Sequence, residues 1–359
     1  MKETVPLTVR SVEKETPDSV RIAFDVPDEH AEEFLGYKEG QHITLQRDFD
    51  GREVKRSYSL STSVADRDLQ VVIRHVPGGV FSSFALEELQ PGDVIQATPP
   101  KGAFRAQLDP ANENHYAAFA AGSGITAVMS VIKTILETEP KSRVTLFYGN
   151  RNPGTMIFKD DLASLKDRYM QRLNIYRFFS RQSQDIPFFE GRLDYQRACG
   201  ILDNLLADTP VDDYFVCGPD SMITDVRKAL RERGVSSRRI HAERFLNKDQ
   251  VPEAERAPTA ATEQAVSGAK LGVILDGRRT DIDYDNTVGT VLDNALAAAL
   301  DTPYSCKGGV CTTCRARVIE GTAQMDVCYG LEDKEIEDGF ILTCQARPTS
   351  ETLVVSFDE

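Results

Sequence analysis

The sequence predicts a multidomain protein: an antiparallel β-barrel, then an α/β domain with a parallel sheet, then a small α+β domain. Three observations carry this. Residues 1–105 alternate apolar and polar side chains between Pro, Gly and Asp turns, as half-buried antiparallel strands do. From about residue 112, strand-like runs alternate with helix-like ones, which requires parallel pairing with helices on both faces. A stretch rich in Pro, Ala, Glu and Thr at 247–268 then separates a last segment of strands and one helix. The expected boundaries are 1–110, 111–246, a linker at 247–268, and 269–359. A chain of 359 residues is long for one core and suits two to three domains.

In the first domain the strand signals include Val20–Phe24, His42–Leu45 and Leu69–Arg74, with a short helix over Phe81–Leu89. In the second, Ala117–Ala121 leads into a helix near Ala127–Glu137, and Arg143–Tyr148 into one at Asp160–Arg168. Leu173–Phe179 is the next strand, and Tyr214–Cys217 leads into a helix at Met222–Arg233. After the linker come strands at Lys270–Leu275 and Arg279–Tyr284, a helix at Val288–Leu300, and strands at Ala316–Glu320 and Leu353–Phe357.

With 41% hydrophobic and 27% charged residues the composition is that of a globular protein. A net charge of −14 argues against nucleic acid or an anionic membrane as partner. Residues 269–359 hold 16 Asp/Glu against 8 Lys/Arg, so that segment should favour a basic partner surface. The longest charge-free stretch, Asn114 to Ile132, carries Gly122-Ser123-Gly124 at its centre and reads as a buried strand turning into a helix. With no leader pattern and no disulfide pattern, the cytoplasm is the expected location.

Four of the seven cysteines read Cys306-x4-Cys311-x2-Cys314 and, after 29 further residues, Cys344. That is the plant-type [2Fe–2S] spacing, and thiolates are the soft ligands such a cluster needs. Gly308 and Gly309 let backbone N–H groups turn inward between the ligands. A four-cysteine zinc site usually shows two C-x2-C pairs, which this chain lacks. Cys199, Cys217 and Cys328 remain, and Cys328 reads as inert.

Arg56-Ser57-Tyr58-Ser59 lies between predicted strands. Arg56 suits a pyrophosphate, Tyr58 the face of an isoalloxazine ring, and the Ser59 hydroxyl the edge that receives hydride. Further on come Ile73-Arg74-His75 and then Gly78-Gly79-Val80-Phe81-Ser82-Ser83, glycines and hydroxyls opening a helix as an anion site does. On these motifs the chain resembles the ferredoxin–NADP reductase superfamily, whose flavin barrel carries R-x-Y-S and a later G-x-x-S. With a C-terminal β-grasp ferredoxin domain it looks like the reductase component of a bacterial multicomponent oxygenase. The reductases of phenylacetyl-CoA epoxidase and 3-ketosteroid 9α-hydroxylase are the kinds it resembles. The resemblance implies FAD, while the residues alone leave FMN open. It also implies that Glu243 and Phe245, in Ile240-His241-Ala242-Glu243-Arg244-Phe245, return to the flavin.

Gly122-Ser123-Gly124-Ile125-Thr126-Ala127 fits G-x-G-x-x-A, but the next strand ends Gly149-Asn150-Arg151 with no carboxylate for a ribose. The ordinary dinucleotide fingerprint therefore fails. The superfamily pattern fits instead: a glycine turn with Gly122 and Thr126, then Cys217-Gly218-Pro219 and Met222 near the nicotinamide. Ser180-Arg181 resembles the pair that holds the 2′-phosphate of NADPH, with Arg151 in support, so NADPH is expected over NADH. His30, His42 and His115 show no ligand spacing and read as incidental, and Glu332, Asp333, Glu335, Glu337 and Asp338 as a solvated face.

The resulting expectation is an NAD(P)H-dependent oxidoreductase. Electrons pass from NADPH through FAD and the cluster, singly, to a separate oxygenase component; Ser59, Cys217 and Glu243 serve the hydride step. A stand-alone reductase of quinones, ferric chelates or other small acceptors is the alternative.

Overall fold

The protein is described by a computed structural model covering residues 4–207, 209–245, 264–304, 306–331 and 333–358. It folds as two compact units, one spanning Thr4–Arg244 and the other beginning at Phe245.

The first unit opens with strands β1 (Val5–Thr16) and β2 (Ser19–Asp25), then a short helix α1 (Ala31–Leu35). Strands β3 (His42–Phe49), β4 (Arg52–Ser59) and β5 (Leu69–Arg74) follow, then helix α2 (Val80–Glu87) and strand β6 (Val94–Ala97). The six strands form one antiparallel sheet in the order β4-β3-β6-β1-β2-β5. Its edges meet at a Leu60–Val71 bridge, closing the barrel. The β3–β4 hairpin turns on Asp50-Gly51, both at positive φ (54° and 80°), the backbone an Asp-Gly two-residue turn adopts. Inside are Leu7, Ile22, Ile43, Leu60, Val71 and Ile73, sealed at one end by Phe81 and Phe84 of α2.

The second half of this unit runs β7 (His115–Ala121), α3 (Ile125–Thr138), β8 (Arg143–Asn150), α4 (Lys159–Arg168), β9 (Leu173–Phe179), α5 (Tyr195–Asn204), β10 (Asp213–Gly218), α6 (Asp220–Glu232) and β11 (Ile240–Arg244). The strands are parallel, ordered β11-β10-β7-β8-β9. Two separate apolar clusters flank the sheet, as two covered faces require. The charge-free stretch is β7 plus the first turns of α3, and among the described residues no helix is long and apolar enough to cross a membrane. Helix α5 was not expected from the sequence: its apolar stripe is short, and Asp194, whose side chain accepts from the Arg197 N–H, supplies its start.

In the second unit, strands β12 (Lys270–Leu275), β13 (Arg278–Asp283), β14 (Arg315–Glu320), β16 (Phe340–Leu342) and β18 (Thr352–Ser356) form a mixed sheet, β13-β12-β18-β14-β16. Strands β15 (Ala323–Met325) and β17 (Ala346–Pro348) pair separately. Helix α7 (Val291–Ala297) is shorter than the expected 288–300, because Gly289 sits at φ 130° and Thr290 caps the helix reciprocally with Asp293. A one-turn helix α8 spans Asp333–Glu337. Residues 247–263 of the expected linker lie outside the described residues. Its last residues are not free: Ala265 and Val266 pack on this unit's core, and the Val266 N–H donates to the Pro348 carbonyl.

Candidate functional site

In the parallel sheet the strand order reverses between β7 and β10, and such a switch point opens a ligand crevice at the strands' carboxyl ends. Both expected nucleotide loops are there: Gly122–Gly124 leaves β7 and Gly218-Pro219 leaves β10. They touch through backbone. A Cβ on Gly124 would lie 2.2 Å from the Cys217 carbonyl oxygen, so this glycine, which the motif reading did not single out, is required by packing. Gly122 is at φ 55°. Thr126 closes its own turn, Oγ1 donating to the Ser123 carbonyl over 3.0 Å. Gly218 admits both Ala121 and the Met222 methyl, and Met222 itself is buried. Further along the same sheet end, Asn150-Arg151 and Ser180-Arg181 are tied by backbone bonds of 2.9 Å, Ser180 N–H to Asn150 O and Arg181 N–H to Arg151 O. The three residues expected at a 2′-phosphate are therefore together.

Strand β4 brings Arg56, Tyr58 and Ser59 alongside β3. Tyr58 rests 5.8 Å, centroid to centroid, from Phe81 at the start of α2. The turn before α2 is built on itself: Ser82 Oγ accepts from the Val76 N–H and donates to the Gly79 carbonyl, at 3.1 Å each. Gly79 has no room for a Cβ against that hydroxyl. Its glycines and hydroxyls thus first fix the loop's own shape. Ser83 reaches the His75 ring at 3.3 Å, while Val80 is exposed. Ile73 points into the barrel core, leaving its backbone as the part that can face a ligand. Arg74 donates to Asp18.

Three expected catalytic residues converge although the sequence scatters them. Ser59 Oγ donates to Glu243 Oε2 over 3.3 Å, and Glu243 is paired in register with Cys217 across β10 and β11. Cys217 is fully buried, and burial, reinforced by the Glu243 charge, pushes its thiol well above the usual range. It is an uncharged group here. His42, read from sequence as incidental, belongs to this cluster. It lies opposite Ser59 on β3, buried, with Nδ1 3.6 Å from Glu243 Oε1. Among the described residues its Nε2 has no hydrogen-bond partner. Gly102, at φ 127°, leaves space for the ring. His115, by contrast, is a satisfied core residue between the Pro210 carbonyl and Thr145. Phe245 falls at the start of the second unit, more than a third exposed.

In the second unit Cys306, Cys311, Cys314 and Cys344 are all buried and none is in a disulfide. The Gly308 N–H donates to Cys306 Sγ at 3.3 Å and the Cys306 N–H to Cys311 Sγ at 3.4 Å. Cys314 and Cys344 share a hydrogen bond that raises the first thiol and lowers the second. Thr343 ties the two ligand segments, both its N–H and its hydroxyl donating to the Cys314 carbonyl. Lys307, Gly309 and Thr312 all stand at positive φ, the curled backbone that brings three ligands onto one loop. Among the described residues no three or more His, Cys, Asp or Glu side chains are grouped so as to hold a metal ion. A buried all-thiol donor set with inward N–H groups fits a cluster. Cys328 is half-buried. Of the acidic run, Glu335 pairs with Arg315 at 2.5 Å, and Glu332 lies outside the described residues.

Three family matches cover most of the chain. The oxidoreductase FAD-binding domain matches residues 6–106, the oxidoreductase NAD-binding domain 119–228, and the 2Fe-2S iron-sulfur cluster binding domain 273–349. The protein is thus an oxidoreductase with FAD-binding, NAD-binding and [2Fe–2S] domains on one chain. Among curated relatives, the E component of 1,2-phenylacetyl-CoA epoxidase from Escherichia coli (strain K12) is 38% identical over 98% of this chain and 97% of its own. The ferredoxin reductase component of 3-ketosteroid-9-alpha-monooxygenase from Rhodococcus rhodochrous is 34% identical, over 99% and 97%. Phthalate dioxygenase reductase has the same fold, with a TM-score of 0.60 at 20% identity over 99% and 98% of the two chains. The chain belongs to the family of reductase components of oxygenase systems.

Proposed function

We propose that this chain draws electrons from NADPH and delivers them singly to a separate oxygenase component of the phenylacetyl-CoA epoxidase or ring- and steroid-hydroxylase kind. The observation that carries this is the Ser59–Glu243–Cys217 convergence beside the nucleotide crevice, on a chain that also carries four buried thiols. When bound, FAD supplies two-electron acceptance with one-electron release, and [2Fe–2S] supplies single-electron carriage. Arg56 is assigned to the flavin pyrophosphate and Tyr58 to the ring face. The Ile73 backbone, Arg74, His75 and Gly79–Ser82 line the remainder. Ser59 orients the hydride-accepting edge, and Glu243 holds Ser59. Gly122, Thr126, Gly218, Pro219 and Met222 shape the nicotinamide crevice, where the neutral Cys217 thiol adds no charge. Arg151, Ser180 and Arg181 face the adenosine phosphate, and the four cysteines hold the cluster.

We assign residues 1–110, 111–246 and 269–359 to these three tasks, joined by a linker at 247–268. A reductase drawing on NADPH works where that coenzyme is kept reduced, which favours the cytoplasm. The test is an anaerobic visible spectrum of the purified protein before and after NADPH, then NADH. Flavin and iron–sulfur bands that both bleach, faster with NADPH, bear the proposal out. A flavin spectrum without a cluster, or no bleaching by either nucleotide, sinks it.

A further inference from the structure

Arg151 is not a free cation at the nucleotide crevice. Asp18, in the turn between β1 and β2, reaches across from the barrel and accepts from Arg151 Nη2 at 2.6 Å. The same carboxylate accepts from Arg74 Nε and Nη2 at 3.1 and 2.8 Å, and from Thr16 Oγ1 at 2.9 Å. Arg74 in turn stands against the glycine turn: a Cβ on Gly122 would lie 3.0 Å from its Nη1. Burial pushes the Asp18 carboxyl up, but hydrogen bonds from Arg74 and Thr16 and the Arg74 charge outweigh it and hold the group below its ordinary value. It is an anion at neutral pH. One negative charge thus sits between the turn at the switch point and the carboxyl end of β8, bonded to an arginine at each.

We infer that Asp18 is a positioning residue for coenzyme choice, restraining Arg151 and thereby weakening the hold on the 2′-phosphate of NADPH. The inference rests on the assignment of Arg151, Ser180 and Arg181 to that phosphate. A 2′-phosphate must compete with Asp18 for Arg151 and lie near its charge, whereas the bare ribose of NADH meets neither penalty. Arg181 sits on the neighbouring strand end, tied to Arg151 through backbone alone, so its guanidinium carries most of the phosphate recognition while Asp18 is present.

The test uses the full chain and two probes that differ only by the phosphate in question, 2′,5′-ADP and 5′-AMP, titrated by calorimetry. Asp18→Asn should tighten 2′,5′-ADP by about threefold to fivefold, the scale of a partly exposed charge pair, and leave 5′-AMP unchanged. Arg151→Ala should cost less than about twofold in the wild-type background, yet abolish the gain when combined with Asp18→Asn. A merely structural role for Asp18 would move both probes together. Arg181→Ala separates the two levels of argument. If it weakens 2′,5′-ADP selectively while Asp18→Asn leaves the preference unchanged or lowers it, the pocket stands and the Asp18 inference falls. If Arg181→Ala does not discriminate between the probes, the pocket assignment falls and takes the inference with it. Should Asp18→Asn not fold, a loss of about tenfold or more in Arg151→Ala alone would show Arg151 already committed to phosphate, which also overturns the inference.

Discussion

Replacing Gly124 by Ala tests whether the two nucleotide loops are set by their mutual backbone contact. The new methyl would arrive 2.2 Å from the Cys217 carbonyl oxygen, 2.4 Å from its carbon and 2.7 Å from the Gly218 nitrogen. Real Cβ atoms essentially never come within 3.0 Å, so the loops must part by roughly 0.8 Å. Strand β10 cannot give way, because it is bonded in parallel to β7 on one side and β11 on the other. The displacement falls on the 122–124 turn, at the usual overpacking cost of about 1–3 kcal/mol. For a cooperative unit of this size that is a fall in Tm of about 2–12 °C. Thermal melting of the flavin-loaded protein reads the first effect and anaerobic bleaching by NADPH the second, since the same shift moves the 122–124 turn out of its place against the Cys217-Gly218 backbone. Gly234→Ala is the control: it sits at φ 76° after α6 with open space around it, so it should cost about 1–2 kcal/mol of strain and leave nucleotide affinity alone. A Gly124→Ala protein that melts and bleaches like wild type would refute the reasoning.

Three other outcomes are expected. Cys311→Ser should abolish cytochrome c reduction while NADPH still bleaches the flavin band, and survival of both would mean the cluster is not on the electron route. Ser59→Ala should slow flavin bleaching by roughly tenfold to a hundredfold with flavin content unchanged, because it removes the group that fixes the accepting edge; stopped-flow absorbance measures this, and an unchanged rate would remove Ser59 from the hydride step. The Asp18 carboxyl is depressed below its ordinary 3.8, so its stabilisation is fully present above that value and is lost as pH falls through the lower folded pKa. The Tm advantage of wild type over Asp18→Asn should therefore be flat from about pH 7 to about pH 5 and shrink below about pH 4. An advantage that persisted in acid would locate the stabilisation elsewhere.

What was legible in the sequence is what lies close along the chain. The Pro, Gly and Asp turns between the barrel strands, the parallel strand–helix alternation and three of the four cluster ligands all sit within short windows, where backbone preference and spacing act directly. The G-x-G pattern was legible too, but its meaning was not. Nothing local says that Gly124 is demanded by the Cys217 carbonyl, because that contact closes between loops far apart in sequence. Helix α5 escaped for a related reason. Of Tyr195 to Asn204 only Ala198, Ile201 and Leu202 are buried, and the segment is held as a helix by packing them against the second face of the sheet.

The charged and titratable residues show the limit most sharply. From the sequence, Arg151 reads as support for a 2′-phosphate and His42 as incidental, yet Arg151 is held by Asp18 and His42 stands buried beside Glu243. Their roles depend on partners 133 positions away in the case of Asp18 and about 200 in the case of Glu243. A charge identifies what a residue can bind; only the fold decides whether that capacity is already engaged. At Arg151 it is engaged by the barrel, which makes a residue outside every recognisable motif a determinant of how the nucleotide crevice meets its phosphate.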